Sequence, residues 1–428
     1  MPVLQVTDLD VAGKKVYVRV DFNVPLADDG TITDATRLRA AVPTVQWLRE
    51  HGAAVILAAH LGRPKGKAVA ALSLQAVVAH LSELLGTPVQ FAADCVGEEA
   101  KQKAAQLAAG EVLLLENVRF HAEETKNDPD FAKQLAELAD LAVNDAFGVS
   151  HRAHASVVGV SEYLPMAAGL LLHEEIEHLD KAAKNPKRPF VAIIGGAKVS
   201  DKIGVIQRFV ELADTVIIGG GMANTFLLAQ GYEIGTSLVE KDKLDVAQAV
   251  IKAAAQHQTK LLLPTDVVVA PEFSAAATPT IVPVADVPGD QMILDAGPDT
   301  VAAYEAAIRD AATIVWNGPL GVFEFPAFAK GTQALARAVA QSNAYSIVGG
   351  GDSVAAVNQS GVADQISHIS TGGGAKNLRH GRKSFCARRL FRRPRSANEL
   401  RTPRLNSARK TCTGKNRERL PVKYPRPC

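Results

Sequence analysis

The chain has 428 residues, 47% hydrophobic and only 5% aromatic, long enough for two substantial cores and typical of an Ala-, Val- and Leu-rich α/β protein. There is no run of about 18 apolar residues, the start MPVLQVTDLDVAGKK has no charged stretch leading into an apolar one, and a single cysteine, Cys95, precedes residue 375; a membrane span, export and a disulfide framework in that region are not expected. The net charge of +2 conceals an asymmetry, because residues 375–428 hold 18 of the 47 Lys/Arg and 2 of the 45 Asp/Glu, leaving a body at −14 with a tail at +16.

In chain order, Lys15–Asp21 (KVYVRVD) reads as a strand running into the turn-forming Asn23-Val24-Pro25. Strand-like runs recur at Ala53–His60, Val112–Arg119 and Leu141–Phe147. Helical patterns lie between them over Thr36–His51, Leu74–Leu85, Gly97–Ala109 and Phe131–Ala139. Strands that are apolar throughout and alternate with helices predict a parallel sheet covered on both faces. Ala168–Lys184 follows as one amphipathic helix with no strand of its own, ended by Asn185-Pro186 and read as a connector between two domains. Its His173 and His178 are five apart and do not make the HExxH zinc pattern; solvated helix residues are the better reading.

The second half repeats the alternation, with apolar strands at Phe190–Ile194, Thr215–Ile218, Lys260–Leu263, Thr313–Trp316 and Tyr345–Val348. Most are followed by glycines: Gly195-Gly196, Gly219-Gly220-Gly221, Asn317-Gly318-Pro319 and Gly349-Gly350-Gly351-Asp352. Glycines at the carboxyl ends of successive parallel strands line the sheet edge where open α/β folds bind ligands, and point to a nucleotide-sized site. The stretch FVAIIGGAKVSDKIGVI reads as strand, tight turn and helix start, with Lys198 and Lys202 four apart on one side of that helix and suited to a polyphosphate. It matches neither GxxxxGK(S/T) nor GxGxxG.

The first half places cations and amides at its strand ends: Asp21-Phe22-Asn23, Arg37, His60-Leu61-Gly62-Arg63, Arg119 and Arg152. Four arginines converging from strand-end loops would bind a small, multiply charged anion, since guanidinium groups recognise phosphate and carboxylate in a bidentate way. The combination is an anion pocket on one domain and a nucleotide pocket on the other.

The motifs VRVDFNVP, HLGRP, ENVRF, DAFGVSHRAHAS, GGAKVSDKI, GGGMANTF, WNGPLGVFE, GGGDS and STGGGA, in that order between about Val3 and Ala375, resemble phosphoglycerate kinase of the bacterial type. The resemblance implies two Rossmann-like, doubly wound parallel-sheet domains joined by a helix and closing by hinge bending: residues 1–168, a helix at 169–185, and residues 186–375. It implies reversible phosphoryl transfer from 1,3-bisphosphoglycerate to MgADP, giving 3-phosphoglycerate and MgATP, in a cytoplasmic monomer with no membrane partner and no specific nucleic acid. By the same resemblance Asp21, Phe22, Asn23, Arg37, His60, Leu61, Gly62, Arg63, Arg119 and Arg152 hold the phosphoglycerate. Gly195, Ala197, Lys198, Lys202, Gly219, Asn317, Pro319, Glu324 and Gly350, Gly351, Asp352 and Ser353 meet the nucleotide, with Asp352 receiving Mg²⁺ and Glu324 directed at the ribose. Arg37, Lys198, Lys202, Gly372 and Gly373 are the implied catalytic groups. A carboxylate acceptor is already ionised at neutral pH, so alignment and charge neutralisation, rather than a strong base, should carry the reaction.

After STGGGA the pattern stops. Residues 376–428 are Arg- and Pro-rich, with three cysteines and no repeating core face, and resemble out-of-frame translation; they are expected to be disordered when free. Impaired turnover and nonspecific nucleic-acid binding by the tail are the expectations attached to them. A dehydrogenase is the other reading, opposed by the lack of GxGxxG and by Asp352 after a glycine run.

Overall fold

A computed structural model describes residues 3–27 and 29–372. The first half is built on β1 (Lys15–Arg19), β2 (Ala54–Ala58), β3 (Val89–Ala92), β4 (Val112–Leu115), β5 (Leu141–Asn144) and β6 (Met166–Ala168), ordered β3-β4-β2-β1-β5-β6. Every pairing in this sheet is parallel. Apolar residues on both faces explain it: Val16 and Val18 face a cluster with Leu38, Val45 and Leu48 of the helix Thr36–Glu50, while Tyr17 faces Ile56 and Leu113 in the cluster on the other side.

The second half holds β7 (Phe190–Ile194), β8 (Thr215–Ile218), β9 (Lys260–Leu262), β10 (Asp266–Ala270), β11 (Thr280–Pro283), β12 (Met292–Ala296), β13 (Thr313–Asn317), β14 (Tyr345–Gly349) and β15 (His368–Ser370). Six of these form a second parallel sheet, ordered β15-β14-β13-β7-β8-β9, and β11-β10-β12 form a small antiparallel sheet. In each large sheet the order reverses beside the first strand, between β1 and β5 and between β7 and β13. Those switch points leave crevices at the carboxyl ends of the strands.

The sequence reading is amended at the margins. Strands β3, β6 and β15 are three- or four-residue edges and the antiparallel sheet has an exposed strand, β11, so none presents the long apolar run that marks a central strand. β4 stops at Leu115, and Val118–Phe120 is a 3₁₀ turn, because Asn117 caps it: its Oδ1 accepts the Arg119 N–H at 3.1 Å, while its Nδ2 donates to the Leu61 and Leu72 carbonyls at 2.8 and 2.9 Å. The helix expected from Ala168 begins at Leu170, after edge strand β6.

That helix, Leu170–Lys184, touches both halves. From the first, Thr44 Oγ1 and Asp145 Oδ1 accept its Leu170 and Leu172 N–H groups at 3.0 Å each. Towards the second, its buried Glu175 accepts from His368 Nε2 at 3.0 Å and from the Thr371 N–H and hydroxyl at 2.7 and 2.8 Å. All described residues belong to one compact body, and none of its described helices is long and apolar enough to cross a membrane.

Candidate active site

The carboxyl ends of both sheets open onto one cavity of about 440 Å³. One wall is cationic. Asp21 and Asn23 follow β1, His60, Gly62 and Arg63 follow β2, Arg119 follows β4, and Gly148, His151 and Arg152 follow β5. Asn23 Oδ1 accepts the Gly62 N–H at 2.7 Å, and Arg119 Nη1 donates to the Gly62 carbonyl at 2.9 Å. Arg37, in the first turn of its helix, pairs with Asp21 at 3.3 Å and donates to the Asn23 carbonyl at 3.1 Å.

Crowding of like charges marks this wall. Burial, then the charges of Arg152 and Arg19, bring Arg119 down to about 10. Arg152 is lowered by burial and by Arg63. His60 is held well below the ordinary imidazole value by burial and then by Arg19, Arg119, Arg152 and Arg37. Arg19 Nη2 lies 3.2 Å from His60 Nδ1; a guanidinium only donates, so Nδ1 accepts and the neutral ring keeps its proton on Nε2. Arg119 Nε is buried with no protein acceptor among the described residues. This wall has donors in surplus, the state an anion relieves.

Beneath it lies a layer that holds the cations. Arg19 is fully buried and donates from Nε to Ser156 Oγ at 2.8 Å. Glu124, also fully buried, accepts from the Ser156 N–H and hydroxyl at 2.8 and 2.6 Å, with His154 Nδ1 at 3.5 Å. Burial raises the Glu124 pKa, but His154, Arg19 and Ser156 outweigh it and the net shift is downward. The carboxylate therefore stays charged and offsets Arg19.

The other wall is made by Lys202, Asn317, Gly318, Gly350, Gly351, Asp352 and Ser353. Lys202 Nζ sits in the β7/β13 crevice, donating to the Gly195 carbonyl at 2.7 Å and the Asn317 carbonyl at 2.9 Å. The Asn317 amide donates to the Gly349 carbonyl, and Ser353 Oγ accepts the Gly318 N–H. Asp352 stands in the first turn of the helix Gly351–Gln359, where backbone N–H groups favour phosphate. The two walls meet at Gly372, where an added Cβ would lie 2.6 Å from the Gly148 backbone.

The phosphoglycerate kinase family model matches residues 6–378. The phosphoglycerate kinase of Moorella thermoacetica is 60% identical over 375 residues, covering 88% of this chain and 95% of that one. The cytosolic phosphoglycerate kinase of Triticum aestivum is 55% identical over 372 residues, covering 86% and 92%. The solved phosphoglycerate kinase of Coxiella burnetii superposes with a TM-score of 0.81 at 43% identity, covering 91% of this chain and 99% of that one. The chain belongs to the phosphoglycerate kinase family. It is a phosphotransferase that moves a phosphoryl group reversibly between ATP and the carboxyl group of 3-phosphoglycerate.

Against that identity, the cavity gathers most of the residues the sequence singled out for a phosphoglycerate kinase, and leaves some aside. Phe22 and Leu61 are core residues under the cationic wall. Lys198 does not share a helix face with Lys202: the helix begins at Ile203, and Lys198 stands exposed on the preceding loop, because Lys202 folds back to cap the strand-end carbonyls. Gly195, Gly219 and Pro319 do not line the cavity; a Cβ on Gly195 would come within 2.0 Å of the Pro319 carbonyl and one on Gly219 within 2.3 Å of Leu320. Ala197 and Glu324 are exposed outside it, and Gly373 lies outside the described residues, as does the tail. Gly148, Val149 and His151 line it unforeseen, and Gly318 lines it as the strand-end glycines suggested. Arg19 was also unforeseen, although a charge inside a strand that is otherwise apolar is the signal that would have found it.

Proposed function

We propose that the cationic wall binds the phosphoglycerate and the glycine-rich wall the nucleotide phosphates, with Arg37 and Lys202 flanking the phosphoryl group in transfer. The observation that carries this reading is that four arginines, Lys202 and Asp352 line one cavity. Arg63, Arg119, Arg152 and the Nε2–H of His60 supply donors to a phosphate and a carboxylate. Lys202, the N–H groups opening Gly351–Gln359 and the Gly372 N–H would face the opposite side of the transferring oxygens. Ala197, Lys198, Gly219, Pro319 and Glu324, on the segments that follow β7, β8 and β13, are the residues we propose to meet the rest of the nucleotide. Closure about the Leu170–Lys184 helix, one reading of the halves 1–168 and 186–375, would exclude water and keep ATP from hydrolysis.

The donor set fits Mg²⁺: a lone exposed carboxylate at Asp352, beside a helix N-terminus that takes phosphate, leaves most positions to phosphate oxygens and water. When bound, that ion neutralises charge on the nucleotide phosphates. We also place the enzyme in the cytoplasm as a monomer, in keeping with its single cysteine before residue 375 and with relatives described as cytosolic. The family match ends at residue 378, six residues beyond the cavity-lining Gly372, so the tail is proposed to lower turnover; replacing it with a family-like end and measuring an unchanged kcat and melting temperature would refute that part.

The test of the central assignment is Lys202→Ala in an ATP-coupled assay. A loss of about 10²–10³ in kcat is expected. Full turnover would sink the reading.

A further inference from the structure

Lys202 reaches the cavity from a turn that is gripped from outside. Between β7 and the helix Ile203–Leu212 the chain runs through residues 195–202. The Val199 side chain is fully buried, and a turn from Val199 to Lys202 is closed by the Lys202 N–H on the Val199 carbonyl at 2.9 Å. Ser200 is the second residue of that turn. Glu240, 40 positions further on, accepts the Ser200 N–H at 2.9 Å and the Ser200 hydroxyl at 2.5 Å. A glutamate on a surface segment ordinarily turns to water, yet here both carboxylate oxygens engage one residue. Burial pushes the Glu240 pKa up, but the Ser200 hydroxyl and the Ser200 and Val199 backbone outweigh it and the net shift is downward. The grip is therefore that of a carboxylate, a stronger acceptor than a neutral group.

Glu240 stands on a firm base. Its own N–H donates to Thr225 Oγ1 at 3.2 Å, and Asn224 Nδ2 donates to the Leu238 carbonyl at 3.1 Å. Asn224 and Thr225 are both buried on the helix Gly221–Ala229. The start of that helix is tied to the same loop, because the Met222 N–H donates to the Gly196 carbonyl at 2.9 Å. These bonds hold the backbone of residues 238–240 without help from the carboxylate, which is left to fix the turn. Glu240 itself does not line the cavity, so whatever it does for the reaction it does through Ser200.

We propose that Glu240 is a positioning residue for phosphoryl transfer: by gripping Ser200 it fixes the Val199–Lys202 turn, and with it the place of the Lys202 ammonium in the β7/β13 crevice. The proposal rests on the reading of Lys202 as a cation flanking the phosphoryl group. Misplacing a reacting-centre group by about 1 Å is enough to cost on the order of 10²-fold in rate. Lys198 lies on the same loop, two residues before Ser200, so loosening the turn also weakens the hold on ATP while leaving the cationic wall of the first half untouched.

The test is steady-state kinetics on the full chain, with ATP and 3-phosphoglycerate varied separately. Glu240→Ala is expected to lower kcat by about 10–100-fold and to raise the KM for ATP, with the KM for 3-phosphoglycerate unchanged. Glu240→Gln is expected to restore most of kcat, because its amide oxygen can accept the Ser200 N–H and its NH₂ can donate to the hydroxyl. A merely structural brace would instead lower the melting temperature and the folded fraction and leave both Michaelis constants at the parent values. That pattern, or parental kcat and KM for ATP in Glu240→Ala, overturns the proposal. Lys202→Ala measured alongside separates the two readings: if it loses turnover while Glu240→Ala does not, only the role of Glu240 falls, and if it keeps full turnover the role of Lys202 falls first. Should Glu240→Ala fold poorly, Ser200→Ala decides, with a smaller loss of the same kind expected and parental kinetics overturning the proposal.

Discussion

The two walls of the cavity are made by different means. The first-half wall is made of side-chain charge: Arg37, Arg63, Arg119 and Arg152 with His60, held by the buried Arg19, Ser156 and Glu124. The second-half wall is held by backbone: behind Lys202, Asn317 and Gly318 the loops after β7, β8 and β13 press so closely that a Cβ on Gly220 would fall 2.7 Å from the Gly196 nitrogen. A cationic wall carries electrostatic strain that substrate relieves, so it should trade stability for affinity. A backbone wall carries little charge but tolerates almost no added volume. Mutations should therefore separate binding from stability in the first half and damage both together in the second.

The largest expected effect removes the support of the cationic wall. Glu124→Ala leaves Arg19 as a buried charge without its offsetting carboxylate, and a loss of about 3–5 kcal/mol in unfolding free energy is expected by urea titration. A loss below about 1 kcal/mol would show that Ser156 and the backbone carbonyls suffice for Arg19. Next is Arg119→Gln. The Michaelis constant for 3-phosphoglycerate should rise by the equivalent of about 1.5–3 kcal/mol, while the melting temperature holds or rises, since one of several crowded guanidinium groups has gone. A fall in melting temperature would break the comparison.

Third is Gly195→Ala, whose Cβ would meet the Pro319 carbonyl at 2.0 Å. About 1–3 kcal/mol of stability should be lost, with turnover falling too because Lys202 donates to the Gly195 carbonyl. Gly351→Ala is the control: it has open space around it, and its stability should stay within about 0.5 kcal/mol.

The same contrast sets what the sequence could show. Central strands were legible because both faces of a parallel sheet are buried and the runs are continuously apolar, as in Phe190–Ile194. Edge strands such as His368–Ser370 were not, because three residues carry no period. The cationic residues were legible because arginines at strand ends announce themselves one by one. The glycines were legible only in part: Gly195 and Gly219 signal close backbone approach in either case, and sequence cannot say whether a ligand or a neighbouring loop does the approaching. The Arg19–Ser156 bond and the Gly148–Gly372 contact join residues more than 100 positions apart, and no local pattern encodes such pairings.

The last prediction, read as a slope with pH, tests whether buried carboxylates obey the same division. Burial pushes Asp145, at the end of β5, up to about 6, and Asp295, in β12, up to about 7. Asp295 Oδ2 accepts the Gly331 N–H at 2.8 Å, but its Oδ1 has no partner among the described residues. Both groups bind protons more tightly folded than unfolded, where a carboxyl titrates near about 3.9. Each therefore stabilises the fold most below that value, and its contribution declines as pH rises to about 6 for Asp145 and about 7 for Asp295. The slope is at most about 1.4 kcal/mol per pH unit per group. Asp295→Asn should flatten the stability curve between those limits and gain on the parent as pH rises. Asp145→Asn should do so over the narrower range, less the strength it loses as acceptor for the Leu172 N–H. Parallel curves for parent and Asp295→Asn would mean that the carboxylate is ionised and solvated at neutral pH, and that the backbone-built half is less tightly closed than its glycine contacts indicate.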